Sequence, residues 1–232
     1  ISVLNNYILN TLYIWSDLEG STLEEAKLKL SQLDNRFDNL KKIQNVFLHC
    51  YFNSKDTDLL FNKLISNEKT DFSRYNYFYA RHLDNKGQKI EARKIIKKAL
   101  KKYPRNLILN QYKVNLELQK NFSDFNCSNK VEIVAELLYI AANALSSQSY
   151  FQSSNFYLNF SKYLNKNFYS FDTLLAENFY KIEDLENAKK TYLKLRKIGN
   201  AFEWYSNQQI SRILIKEKRK DDAIKLYSDS FN

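Results

Sequence analysis

The chain has 232 residues, 44% of them hydrophobic, with a formal net charge of +10. Three Gly and one Pro exclude an all-β fold, which needs turn residues about every 8–12 positions, and they exclude collagen-like or low-complexity segments. No apolar run approaches the ~20 residues that span a membrane. The richest, Val134 to Leu145, is interrupted by Glu136 and Asn143 and reads as a buried helix. The chain begins at Ile1 and contains no Met, which marks it as a fragment or a processed product.

A pattern of helix, polar turn and helix recurs about every 34 residues. Units begin near Tyr7, Lys41, Ser73, Ala135, Tyr169 and Trp204. The first is marked by Ala26 in its second helix. The next has Phe47, Leu48 and Tyr51 at places 7, 8 and 11. The clearest follows: a first helix near Arg74–Asp84, a turn at Asn85-Lys86-Gly87, a second helix near Lys89–Tyr103, and Pro104, which cannot continue a helix. Ala80, Ala92 and Ala99 permit close helix contact. Tyr79, Leu83, Ile95, Ile96 and Leu100 fill the space around them at 3–4 spacing. A helix at Leu107–Lys120 and a polar loop at Asn121–Asn129 interrupt the pattern. The unit from Ala135 has Ala142 at place 8 and Ser154 and Ser161 at places 20 and 27. The unit from Tyr169 has Ala176, Ala188 and Tyr192, and the last has Leu214, Ala223, Tyr227 and Ser230. The expected organisation is one continuous solenoid: repeats over 1–106, a junction over 107–130, and repeats over 131–232.

Place by place, these units resemble the tetratricopeptide repeat, which has a small residue at position 8, Ala at 20 and 27, and Pro at 32. Ala80, Ala92, Ala99 and Pro104 occupy those places in the clearest unit. The consensus Trp at position 4 is absent from every unit. The stretches 135–142 and 155–164 are similar to bacterial tetratricopeptide proteins of unassigned molecular function. The resemblance implies an all-α, right-handed solenoid of antiparallel helix pairs, with about 12–14 helices. It further implies a protein-protein interaction scaffold, in the bacterial cytoplasm or periplasm, that holds a partner's peptide or helix in a concave groove.

Groove-facing places of the first helices hold Asn45 and His49; Tyr77 and Arg81; Tyr139 and Asn143; Thr173, Glu177 and Tyr180; and Gln208 and Arg212. Tyr and Arg supply most interface hot spots. The partner is an unidentified protein. Nucleic acid or anionic lipid is the alternative, because Lys89, Arg93, Lys97 and Lys101 form one basic row and Lys94, Lys98 and Lys102 the next. Those rows lack the interleaved aromatics of single-strand binders, which favours a solvated outer face.

Catalytic constellations are absent from the sequence. His49 and His82 belong to no zinc motif, and Gly20, Gly87 and Gly199 are isolated, so no phosphate-cradling loop forms. The expectation is a non-enzymatic chain with no metal and no cofactor. Cys50 reads as a small core residue and Cys127 as a loop residue open to solvent. They lie about two repeats apart, ~20 Å in a stacked array, which predicts no bond between them.

Overall fold

The computed structural model describes residues 2–119 and 124–229, and these form thirteen α-helices with no strand. The helices are α1 (Ser2–Ser16), α2 (Leu23–Ser31), α3 (Asp38–Tyr51), α4 (Thr57–Ile65), α5 (Ser73–Asn85), α6 (Lys89–Lys102) and α7 (Leu107–Glu117). They continue with α8 (Lys130–Ser147), α9 (Phe151–Leu164), α10 (Ser170–Lys181), α11 (Leu185–Leu195), α12 (Asn200–Lys216) and α13 (Lys220–Asp229). None is long and apolar enough to cross a membrane. The helix expected over Leu107–Lys120 ends at Glu117. Lys120, the loop residues Asn121 to Ser123, and Ser230 lie outside the described residues.

Two compact units divide the chain, one ending at Ala141 and one beginning at Ala142, so α8 runs through the division. In the first unit each helix from α1 to α7 packs on its neighbour in sequence, and α5 also packs on α7. In the second unit the same succession runs from α9 to α13.

The turns between α1 and α2, α3 and α4, α5 and α6, α8 and α9, α10 and α11, and α12 and α13 share a backbone device. Gly20, Asn53, Gly87, Ser149, Glu183 and Lys218 all have φ between 51° and 81° and stand between the two helices of a pair. Gln119, two residues past the end of α7, has the same conformation. These seven recur at steps of about 30–35 residues, the period read from the sequence. A left-handed residue ends a helix by turning its last carbonyls onto the following amides. At Gly87 this places the Gln88 amide 2.9 Å from the Leu83 carbonyl. Only two of the seven are glycine, so residue type hides a regularity that the backbone preserves.

Helix starts follow ordinary capping. Thr22 and Glu25 form a reciprocal capping box at α2, and the Asn106 and Asp184 side chains accept from backbone amides at the starts of α7 and α11. The small residues picked out by the repeat pattern lie at helix contacts. Ala80, Ala92, Ala142, Ser154, Ser161, Ala176 and Ala188 have 0% exposure. Ser154 Oγ donates to the Ala142 carbonyl at 2.8 Å, so place 20 of one helix meets place 8 of its partner. A hydroxyl is tolerated there because a neighbouring carbonyl satisfies it.

Such contacts leave no room for a larger side chain. Ala188→Leu is expected to overpack α10 against α11 and cost about 1–3 kcal/mol, read as a lowered midpoint in denaturant unfolding.

Candidate functional site

The first unit uses its expected groove positions internally. Side chains of alternate helices meet on one face: Trp15 Nε1 of α1 donates to Gln44 Oε1 of α3 at 2.7 Å, Phe47 of α3 packs on Phe78 of α5, and Arg81 of α5 reaches Tyr112 of α7. The segment after the described gap, Asp124–Cys127, lies against this face. Phe125 is buried with its ring 5.6 Å from that of Phe47 and 4.3 Å from that of Phe78. Arg81 Nε sits 2.8 Å from Asp124 Oδ1, and Arg81 also pairs with Asp84 at 2.9 Å. The Tyr77 hydroxyl donates to Asp124. Burial, and then the Asp124 carboxylate, push the Tyr77 phenol well above its ordinary range. Tyr77 and Arg81 are therefore engaged with the chain's own segment. His49, from the same set of positions, is buried with Nδ1 2.9 Å from Ser54 Oγ, and Asn45 is half-buried.

The cysteines correct the sequence expectation. Cys50 on α3 and Cys127 are joined by a disulfide, with Cα atoms 5.7 Å apart. Cys127 is 2% exposed, not open to solvent. The ~20 Å expectation placed Cys127 in a stacked repeat. The segment around it is not a stacked element; it folds back over the faces of α3 and α5. His82 of α5 stands beside the pair, with Nδ1 3.3 Å from Cys50 Sγ and 3.6 Å from Cys127 Sγ. Its Nε2 is 3.0 Å from Asp58 Oδ1 of α4, and Lys86 Nζ lies 3.1 Å from the other Asp58 oxygen. Burial lowers the His82 pKa, opposed by the Asp58 carboxylate. Cys50, His82 and Cys127 thus form a group of metal-ligating types that sequence distance had kept apart.

A second buried polar contact fixes the start of α8. Glu136, with 0% exposure, accepts two hydrogen bonds from the Arg74 guanidinium, each 2.7 Å. The guanidinium also stacks 3.9 Å from the Tyr139 ring centroid. Tyr139 is half-buried and engaged by Arg74 of the same unit.

The remaining groove candidates belong to the second unit. Asn143 is exposed on α8, and Thr173 is half-buried on α10. Glu177 accepts from the Tyr205 hydroxyl at 2.5 Å, joining α10 to α12. Burial, and then that carboxylate, raise the Tyr205 pKa. The Tyr180 ring faces two cations, Arg212 at 5.5 Å and Lys216 at 5.4 Å. Gln208 donates to the Tyr227 hydroxyl at 3.2 Å. Between α12 and α13 lies a groove of about 570 Å³, lined among others by Arg212, Ile215, Ile224 and Tyr227. Ile215, Ile224 and Tyr227 are all exposed, so the groove offers apolar surface flanked by amide and guanidinium groups.

No protein-family model and no curated protein matches the chain. Its chemistry is read from its own residues.

Sequence reasoning missed Asp124, Phe125, Asp58, Arg74 and Glu136. One signal existed: two Phe and a Cys within a loop of polar residues, at Phe122, Phe125 and Cys127. Apolar side chains in such a loop need a surface to cover them. Arg74 and Glu136 are 62 residues apart and carried no local sign of pairing.

Removing one partner of a buried ion pair leaves an uncompensated charge. Glu136→Gln should cost about 3–5 kcal/mol, measured by chemical denaturation at neutral pH. A variant with wild-type stability would show that Glu136 is not buried against Arg74.

Proposed function

We propose that the chain is a non-enzymatic protein-interaction scaffold built as a tetratricopeptide-like, right-handed α-solenoid, and that it holds a peptide or helix of a partner protein. The observation that carries this reading is the face shared by α10 and α12 and extended by α13. Tyr180, Gln208 and Arg212, from first helices of successive pairs, line up with Tyr227 beside an open apolar groove. This mixture of aromatic rings, amides and a guanidinium over apolar surface suits an extended or helical ligand. The repeating left-handed turn residue and the meeting of places 8 and 20 support the solenoid assignment. The corresponding face of α3 and α5 carries the chain's own Asp124–Cys127 segment. The second unit is thus the place where a partner docks.

A second reading is favoured by α6. Lys89, Arg93, Lys94, Lys97, Lys98, Lys101 and Lys102 are all exposed, and a groove between α6 and α7 has an apolar floor rimmed by Arg93, Lys97, Lys101 and Lys113, with one acid, Glu117. RNA or an anionic membrane surface would bind there with steep salt dependence.

Selection of a displayed random-peptide library on the immobilised chain distinguishes the two. Selected peptides should lose at least about tenfold in affinity to Arg212→Ala and Tyr227→Ala, with little response to salt. Peptides that bind both variants as well as wild type would reject the groove. Binding that collapses with added salt and with Lys97→Glu would favour the basic α6 face.

A further inference from the structure

Cys50, Cys127 and His82 converge from three separate elements. Cys50 lies on α3, His82 on α5, and Cys127 on the segment before α8. Their ligand atoms lie within 4.8 Å of one another. The cysteines are the only two in the chain, and both are buried, Cys50 at 3% and Cys127 at 2% exposure, beside a half-buried His82. Phe61 packs its ring 5.6 Å from that of His82 and covers one side.

The donor set is two sulfurs and one imidazole nitrogen, the combination that prefers a thiophilic cation of the zinc class over magnesium or calcium. Zinc binds sulfur at about 2.3 Å and nitrogen at about 2.0–2.1 Å, so a tetrahedral centre has an N···S edge of about 3.5 Å. His82 Nδ1 already stands 3.3 and 3.6 Å from the two sulfurs. The remaining S···S edge would be about 3.8 Å, against about 2.0 Å in a disulfide. Opening it requires the sulfurs to part by under 2 Å in total, about what small side-chain rotations supply.

The surroundings of His82 fit the same use. A metal-bound imidazole typically donates its other nitrogen to a carboxylate, which fixes tautomer and ring orientation. Asp58 accepts at 3.0 Å from Nε2, leaving the Nδ1 lone pair aimed at the sulfurs. Lys86, 3.1 Å from the second Asp58 oxygen, holds that carboxylate in turn.

We propose that Cys50, Cys127 and His82 form a redox-gated zinc site. It exists as a disulfide when oxidised and as a two-thiolate, one-imidazole centre when reduced, with water in the fourth position. A thiol reductant delivers two electrons and two protons to the disulfide and leaves as its own disulfide. The two thiols then release two protons as the cation binds. In either state α3 stays tied to the Asp124–Cys127 segment, by a covalent bond or through the metal. Because a structural metal adds its binding free energy to folding, the reduced chain regains from zinc what it loses with the disulfide.

The test uses the whole chain, reduced with a phosphine and exchanged into oxygen-free buffer, beside the oxidised chain. Zinc alone, in competition with a chromophoric chelator, should bind one per chain to the reduced form and none to the oxidised form. Cobalt substituted for zinc should give the intense visible bands of a tetrahedral centre and a sulfur-to-cobalt charge-transfer band. Asp58→Ala, which leaves every ligand in place, should weaken zinc binding about 10–100-fold at unchanged stoichiometry. Cys127→Ser should weaken it by more and abolish the charge-transfer band. If the reduced apo chain loses helix, zinc should restore its circular dichroism. A reduced chain that binds no zinc, whether folded or unfolded, overturns the proposal. Equal zinc uptake by the oxidised chain, or by Cys127→Ser, overturns it as well.

Discussion

The Asp124–Cys127 segment folds back onto the face shared by α3 and α5, and the first unit is organised around that return. Three kinds of interaction coincide within four residues. Phe125 buries its ring against Phe47 and Phe78, Asp124 meets the buried Arg81, and Cys127 is bonded to Cys50. Arg81 is 3% exposed, and a guanidinium so buried would be costly without a carboxylate at 2.8 Å. Asp124 in turn is held near that guanidinium by its apolar neighbour. The disulfide closes a loop that spans 77 residues of sequence, an entropic contribution of about 2–5 kcal/mol against the unfolded chain.

In the proposed reading, a partner lies on the face made by the first helices of the pairs. In the first unit the face of α3 and α5 carries a piece of the same chain, held by aromatic, charged and covalent contacts. In the second unit the corresponding side chains leave an open groove beside α13. Fold analogy alone would treat every repeat alike. Local chemistry separates a filled face from an open one.

Much of the helical framework was legible in the sequence because it rests on local rules. Ala80, Ala92, Ala142, Ala176 and Ala188 announced close helix contacts by size and spacing, and all five are buried. Pro104 and Gly87 announced a helix end and a turn. The candidate site was less legible, for a physical reason. Two of its pairs are made by a segment outside the repeat, Asp124 with Arg81 and Cys127 with Cys50, and a third, Glu136 with Arg74, joins residues 62 apart in sequence. Periodicity places residues that obey the repeat and says nothing of a segment that leaves it. Tyr77 and Arg81 were expected to face a partner, yet both are engaged by Asp124 of the same chain. Likewise Asn53, Glu183 and Lys218 adopt a conformation usually marked by glycine, so the turns were regular in backbone where the residues were not.

The most direct measurement is mass spectrometry of a non-reduced proteolytic digest. The chain is purified without reductant and with a chelator, denatured, and alkylated to block any free thiol before cleavage. A single cross-linked peptide pair joining Cys50 to Cys127, released by reduction, is the predicted result. Full alkylation of both cysteines before reduction would contradict the covalent tie between α3 and the Asp124–Cys127 segment.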